Sequence, residues 1–171
     1  MHLEGSSFIL RPHRWGDEES IARYANNRNI SRNMADAFPY PYTVEDARSF
    51  IGRREQDPEP KAVFAIARDD EVIGGIGFFP GKDTARVRAE IGYWVAEPFW
   101  RQGIATEALR LVSHYAFEHF DLVRLQAMVK EWNPASMRVL EKAGYTLEAR
   151  LAKSCIKDGQ IIDEFLYVLL K

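Results

Sequence analysis

One cysteine, Cys155, stands in the whole chain of 171 residues. A lone thiol cannot close an internal disulfide, so the fold must rest on its core, and the composition suits a reducing compartment. Histidine is scarce as well. His2, His13, His114 and His119 show no metal-ligand spacing, and no H-E-x-x-H run occurs, so no metal is expected. Charge of one sign is missing: 23 Lys and Arg against 25 Asp and Glu give a net charge of −2. That balance excludes a general affinity for nucleic acid or for membranes. No uncharged apolar run is long enough to span a bilayer. No charged segment followed by an apolar run opens the chain, so a secretory leader is not expected. Repeats, low-complexity tracts and linkers are absent, and so is the G-x-S-x-G elbow of serine hydrolases. Gly74-Gly-Ile-Gly77 lacks the strand–turn–helix setting of a dinucleotide fingerprint and reads as close backbone packing within a strand. What remains is a single domain over residues 1–171, cytoplasmic in expectation, able to bury a sizeable core unaided.

The informative stretch runs from Val87 to Ala108. Val87, Ala89, Ile91, Tyr93 and Val95 alternate with Arg88, Glu90, Gly92 and Trp94, the period of a strand. Pro98 ends regular pairing. From Ile104 the period changes, and Ile104, Ala108, Val112 and Ala116 fall on one helical face. Between strand and helix lies Arg101-Gln102-Gly103-Ile104-Ala105-Thr106. Gly103 allows unusual dihedrals, and small Ala105 allows close approach of a ligand. The first-turn N–H groups of a helix have no internal partner and sit at its positive end, a setting that suits a phosphate. Many ordinary helices also begin this way.

The rest of the chain supplies the context. Phe8 to Arg11 is a short strand, and Asp17 to Arg28 a helix that Asp17 can cap. Residues 29–42 end in Phe38-Pro-Tyr-Pro-Tyr42 and are expected to be irregular. Thr43-Val-Glu-Asp46 resembles a capping box for a helix to about Arg54. Ala62–Ala67 and Val72–Phe79 form a hairpin turned at Asp69-Asp70. After the central helix come a strand over Leu122–Lys130 and a helix opened by Asn133-Pro134 and closed at Gly144. Strands over Tyr145–Ile156 and Ile161–Leu170 follow, joined at Asp158-Gly159. This is a mixed α/β domain, antiparallel in its first half.

The order of elements, together with Glu90-Ile-Gly-Tyr-Trp-Val, Trp100-Arg-Gln-Gly-Ile-Ala-Thr-Glu-Ala-Leu and Asn133-Pro-Ala-Ser136…Leu140-Glu-Lys-Ala-Gly-Tyr145, resembles the GNAT superfamily of acyl-CoA-dependent N-acetyltransferases. Within it the chain is most similar to the RimJ/RimL branch of ribosomal-protein N-terminal acetyltransferases. The resemblance implies an α/β (α+β) GNAT fold. Its central sheet would be mostly antiparallel, of about seven strands splayed in the middle, with about four helices on its faces. It implies acetyl-CoA as cofactor, CoA as product, and acetyl transfer by direct attack of an amine. The turn at 101–106 would hold the pyrophosphate through backbone N–H groups. The superfamily pattern has Gln or Arg where this chain has Trp100, which costs one side chain and leaves the backbone cradle. The pantetheine arm would lie in the splay beside Trp94 and Val95, its amides imitating a missing strand.

Individual residues carry two readings each. Asn133 caps its helix and in the family also touches pantetheine or substrate. Ser136 is a solvated helix serine or the proton donor to the leaving thiolate. Many superfamily members place a Tyr for that task where Leu140 stands here, and leucine has no proton to donate. Glu90 is either an ion-pair partner or the general base. Some RimJ/RimL-like proteins carry that base on the penultimate strand, at a position that falls on Cys155 here. Asp36, Asp163 and Glu164 are substitutes. Arg101, Gln102, Arg138 and Lys142 are surface side chains or phosphate ligands. Trp15, Tyr24, Phe38, Tyr40, Tyr42 and Tyr93 line an acceptor groove or pack the core. The expected acceptor is a protein N-terminal α-amine, whose intrinsic pKa of about 8 needs little help. A small amine such as a polyamine, amino acid or antibiotic is the alternative, and a silent CoA-binding module a third. No nucleic-acid or membrane partner is expected. Between monomer and homodimer the sequence is silent.

Overall fold

Alternation of small and apolar residues along the middle strands builds one sheet. The structure, a computed structural model, describes residues 2–171. Among those residues the strands are β1 (Leu3–Glu4), β2 (Ile9–Arg11), β3 (Val63–Arg68), β4 (Glu71–Pro80), β5 (Arg88–Val95), β6 (Arg124–Lys130), β7 (Thr146–Lys157) and β8 (Gln160–Leu170). They lie in the order β1-β2-β3-β4-β5-β6-β8-β7. Every neighbouring pair is antiparallel except β5 and β6. The helices are α1 (Glu18–Ala25), α2 (Arg28–Ser31), α3 (Val44–Glu55), α4 (Ile104–His119) and α5 (Pro134–Lys142).

The sheet has eight strands rather than about seven, the addition being the two-residue β1. The helix expected from Asp17 to Arg28 stops at Ala25, and a separate turn of helix, α2, follows within the stretch read as irregular. Asn27 makes the difference. Its side chain accepts from the Asn29 N–H and starts a new cap. Asp17 makes no side-chain cap. Its carboxylate instead takes both Arg11 guanidinium nitrogens at 2.8 and 2.7 Å in a buried pair, which outweighs a local capping bond. The Thr43 capping box forms as read, with Asp46 in the place of the usual glutamate.

Two apolar layers cover the two faces. On one, α4 and α5 pack against the odd-numbered residues of β5 and β6, including Ile91, Val95, Leu125, Ala127 and Val129. On the other, α1 and α3 bury Ile21, Ala25, Ala47 and Ile51 with Ala65 and Val72, and Phe38, Val44 and Trp94 pack alongside. Each fully buried Leu or Ile stabilises the fold by roughly 1.5–3 kcal/mol. The glycines of β4 permit a close approach. A Cβ on Gly74 would meet the Trp94 carbonyl oxygen at 2.5 Å, and one on Gly75 the Trp94 indole nitrogen at 2.9 Å.

The position of the site follows from one irregularity. β5 and β6 pair only at Arg88↔Arg124, Ala89↔Leu125 and Glu90↔Gln126. Beyond Glu90, β5 stays on β4 as far as Val95, while β6 stays on β8 as far as Lys130. The sheet is therefore split from Ile91 onward, and the two open edges line a gap.

Candidate active site

The gap exposes backbone. The Ala96 N–H donates to the Ile73 carbonyl at 2.8 Å, and Gly74 lies opposite Val95. In an antiparallel ladder this alternation turns the peptide groups of Trp94 toward β4 and those of Tyr93 and Val95 away from it, into the gap. The Val95 carbonyl accepts from the Trp100 indole N–H at 2.6 Å. Trp100 thus ties the strand end to the turn that follows it. The Val95 N–H remains directed into the opening.

The turn is shaped by left-handed residues. Arg101 has φ of 62° and Gly103 φ of 81°. For Arg101 this conformation costs on the order of 1 kcal/mol. A Cβ on Gly103 would meet nothing within 4 Å, so the surface there is open. α4 begins at Ile104 with no side-chain cap. Glu107 is the first residue to return a bond, to the Gly103 carbonyl at 3.0 Å. The N–H groups of Ile104, Ala105 and Thr106 thus have no intrahelical acceptor, and they point from the positive helix end. Gln102 is engaged within the turn: its amide donates to the Pro98 carbonyl at 3.3 Å and accepts from Arg68. Arg101 is exposed.

Across the gap stands the start of α5. Asn133 caps it, its side-chain oxygen accepting from the Ser136 N–H at 3.3 Å, with Pro134 at the first helical position. The Ser136 hydroxyl lies 2.7 Å from the Tyr93 hydroxyl of β5. Burial pushes the Tyr93 phenol up to about 12, partly offset by this bond, so it stays protonated; it also reaches the Ser136 carbonyl at 3.4 Å, and either hydroxyl can donate within the pair. Leu140 is fully buried core. Arg138 pairs with Glu141 at 3.3 Å, and the Lys142 carbonyl accepts from Arg110 of α4.

The aromatic candidates separate by face. Phe38 packs tilted against Tyr42 and edge-on to Trp94, at centroid distances of 5.1 and 5.9 Å, on the α1/α3 side. Tyr40 is exposed, with the Arg28 guanidinium over its ring. Tyr93 reaches the opposite, α4/α5 side. Trp15 donates to Glu55 near the end of α3, and Tyr24 packs on Phe99 and donates to Glu71. Neither of these two is grouped with Phe38.

The carboxylates separate as well. Glu90 is exposed on the α1/α3 face at the closed end of the gap, where β5 and β6 still pair. It lies three residues, or about 10 Å of strand, below Tyr93. Glu164 lies on the same face, level with Lys130 at the open end, and accepts from the Ser154 hydroxyl at 2.8 Å. Cys155 is close by: burial and the Glu164 carboxylate raise its thiol. Asp163 falls on the other face. The Lys153 N–H and Arg150 hold its carboxyl below the usual range. Asp36 is depressed by its 2.8 Å pair with Lys157.

Sequence reasoning missed α2 as a strap. Asn27 and Asn29 donate to Glu97, which follows β5. Arg28 pairs with Asp158 at the tip of the β7–β8 hairpin at 2.6 Å, and Asn33, just past α2, accepts from the Trp132 indole at 3.1 Å. Only the polar stretch from Asn26 to Asn33, broken by the single apolar Ile30, hinted at it. Among the described residues, no group of His, Cys, Asp or Glu is arranged to hold a metal ion, and no helix is long and apolar enough to cross a membrane.

Comparisons with known proteins agree with this geometry. Residues 7–146 match the family described as "Acetyltransferase (GNAT) domain". The chain is 38% identical to the "Uncharacterized N-acetyltransferase YoaA" of Bacillus subtilis, over 99% of this chain and 96% of that one. It is 31% identical to the "Ribosomal-protein-serine acetyltransferase" of Escherichia coli, over 60% of this chain and 54% of that protein. RimJ of Mycobacterium smegmatis, solved in complex with CoA-disulfide, superposes with a TM-score of 0.84 at 26% identity, covering 95% of this chain and 81% of that one. A split sheet, an uncapped phosphate-type helix start and these relatives lead to one conclusion: the chain belongs to the GNAT family and is an N-acetyltransferase.

Proposed function

We propose that this enzyme transfers an acetyl group from acetyl-CoA to the N-terminal α-amine of a protein or peptide. The observation that carries the reading is the gap between β5 and β6, bordered by free backbone on one side and by Ser136 on the other. The ribosomal-protein relatives support the acceptor class.

The residues present fit the cofactor. The N–H groups of Ile104, Ala105 and Thr106, beside the open surface at Gly103, suit a pyrophosphate. Arg101 is exposed in that turn and Gln102 braces it; Lys142, and Arg138 on leaving Glu141, are the further phosphate contacts proposed from α5. The N–H groups of Tyr93 and Val95 suit the amides and the acyl carbonyl of an extended arm, with Asn133 beside them. Acetyl-CoA supplies the activated acyl thioester. Everything else falls to the protein.

In the proposed step the Tyr93 phenol donates to the Ser136 hydroxyl, which is then left to donate its own proton at the departing sulfur. The Val95 N–H polarises the acyl carbonyl. Glu164, level with the open end, takes the proton that the ammonium must lose before it attacks. Glu90, the other candidate, sits about 10 Å lower along the strand. Phe38, Tyr40 and Trp94 floor the acceptor side.

Thiol release from acetyl-CoA, measured across N-terminal peptides and small amines with CoA binding in parallel, tests the reading. Turnover on peptides is expected. Turnover confined to small amines would replace the acceptor class. CoA binding without turnover on any amine would favour a silent binding module.

A further inference from the structure

A second concavity lies at the acceptor end of the gap. It has a volume of about 260 Å³ and is lined by Arg28, Asn29 and Arg32 around α2, by Trp132, and by Asp158 and Gln160 of the hairpin tip. Its charges are not equivalent. Arg28 is neutralised by Asp158 at 2.6 Å. Among the described residues Arg32 has no carboxylate within ion-pairing distance. Its guanidinium lies 5.4 Å from the centre of the Trp132 ring, and the indole N–H is fixed on Asn33. A guanidinium laid over an aromatic face keeps its in-plane N–H fork free, the geometry that a carboxylate meets with two bonds.

We infer that this pocket is a carboxylate subsite of the acceptor site, with Arg32 as the residue that selects for it. This inference rests on the reading that the enzyme acetylates an amine. The net excess is one positive charge, which matches a monoanion. A phosphate dianion would leave a charge unmatched, and a polyamine would face two guanidinium groups. Trp132 directly precedes Asn133, which caps the helix carrying Ser136. The pocket therefore adjoins the segment that leads from β6 into the Ser136 helix. The acceptor this geometry selects is an amine with a carboxylate a short distance away. That group is either the side chain of an acidic residue near a peptide N-terminus or the carboxylate of a free amino acid.

Paired acceptors separate these sources: peptides differing only by Glu or Gln at the second or third position, and free amino acids beside their amides. Each pair is assayed with the native enzyme, Arg32→Met and Arg32→Glu, and the same compounds are titrated calorimetrically into the CoA-saturated protein. The native enzyme should favour the carboxylate member of one pair by about tenfold in KM, with kcat changed less than twofold. Arg32→Met should erase the preference while binding CoA normally, and Arg32→Glu should turn it toward Lys-containing peptides. The arm in which the preference appears names the source. Equal KM and equal binding for both members of every pair would overturn the subsite, as would a preference that survives in Arg32→Met. If no compound turns over, Arg32-dependent binding of the acidic member upholds the subsite and removes the proposed acceptor chemistry. Absence of both binding and turnover sinks the subsite.

Discussion

The Tyr93 hydroxyl of β5 stands 2.7 Å from the Ser136 hydroxyl of α5, bridging the gap on its α4/α5 side. One hydrogen bond thus orients the serine from the strand opposite. Burial holds the phenol at about 12, so it stays protonated, and able to donate, throughout the working range. Replacing Tyr93 by Phe should lower kcat about tenfold, the value of one oriented hydrogen bond, and leave the KM for acetyl-CoA within twofold. Ser136→Ala should fall at least as far, and the double variant no further than the serine variant alone. Steady-state kinetics over all three checks this; additive losses would separate the two residues.

Trp100 joins the strand end to the proposed cofactor turn through the Val95 carbonyl. Trp100→Phe keeps the ring and removes the N–H. CoA affinity should weaken roughly fivefold, corresponding to about 1 kcal/mol. Calorimetric titration reads this directly, and an unchanged Kd would make the indole bond incidental.

Two glycines should answer differently to alanine. Gly74→Ala would drive a methyl against the Trp94 carbonyl, 2.5 Å away, and force β4 from β5. Overpacking against backbone costs about 2–3 kcal/mol, or a fall in Tm of about 5–10 °C. Gly103→Ala meets no atom and suffers only its φ of 81°. It should lose about 1 kcal/mol, or about 2–4 °C, and its deficit should lie mainly in CoA binding. Melting curves of the two variants, with and without CoA, distinguish clash from strain.

His13 gives the fold an acid sensitivity. Neither ring nitrogen has a hydrogen-bond partner or contact with solvent, and burial lowers the imidazole to about 4. The folded form therefore keeps His13 neutral while the unfolded chain takes up a proton near 6.5. Stability is unaffected above that pH. It declines as pH falls from about 6.5 to about 4, by on the order of 3 kcal/mol in all. Urea midpoints at pH 7.5 and pH 4.5 should differ accordingly, and His13→Phe, which keeps an edge-on ring against Phe50, should shrink the difference.

Much of the site was legible because its signals are local. Gly103 before Ile104, and Asn133-Pro134 before a helix, are written in neighbouring residues, and both helices start there. The Tyr93–Ser136 bond spans 43 residues and depends on how far two strands diverge, which no local pattern records. Tyr93 could be placed on a strand, but which layer it served required the partner helix. α2 escaped because four residues carry no period. It is held by Glu97, by Asp158 and by the Trp132–Asn33 bond, all remote in sequence. Asp17 failed as a cap because Arg11, six residues earlier, offered a buried charge pair.

The split in the sheet makes the enzyme divisible. In the proposed site Ser136, Tyr93 and the α4 turn act from one layer, and the α2 strap and the hairpin tip border the other. Only the reacting atoms need meet in the slot between them. If the proposed subsite holds the acceptor, substitutions around Arg28, Arg32 and Asp158 should exchange one acceptor for another without disturbing the proposed donor side. Donor chemistry and choice of partner would then be two separately adjustable halves of one slot.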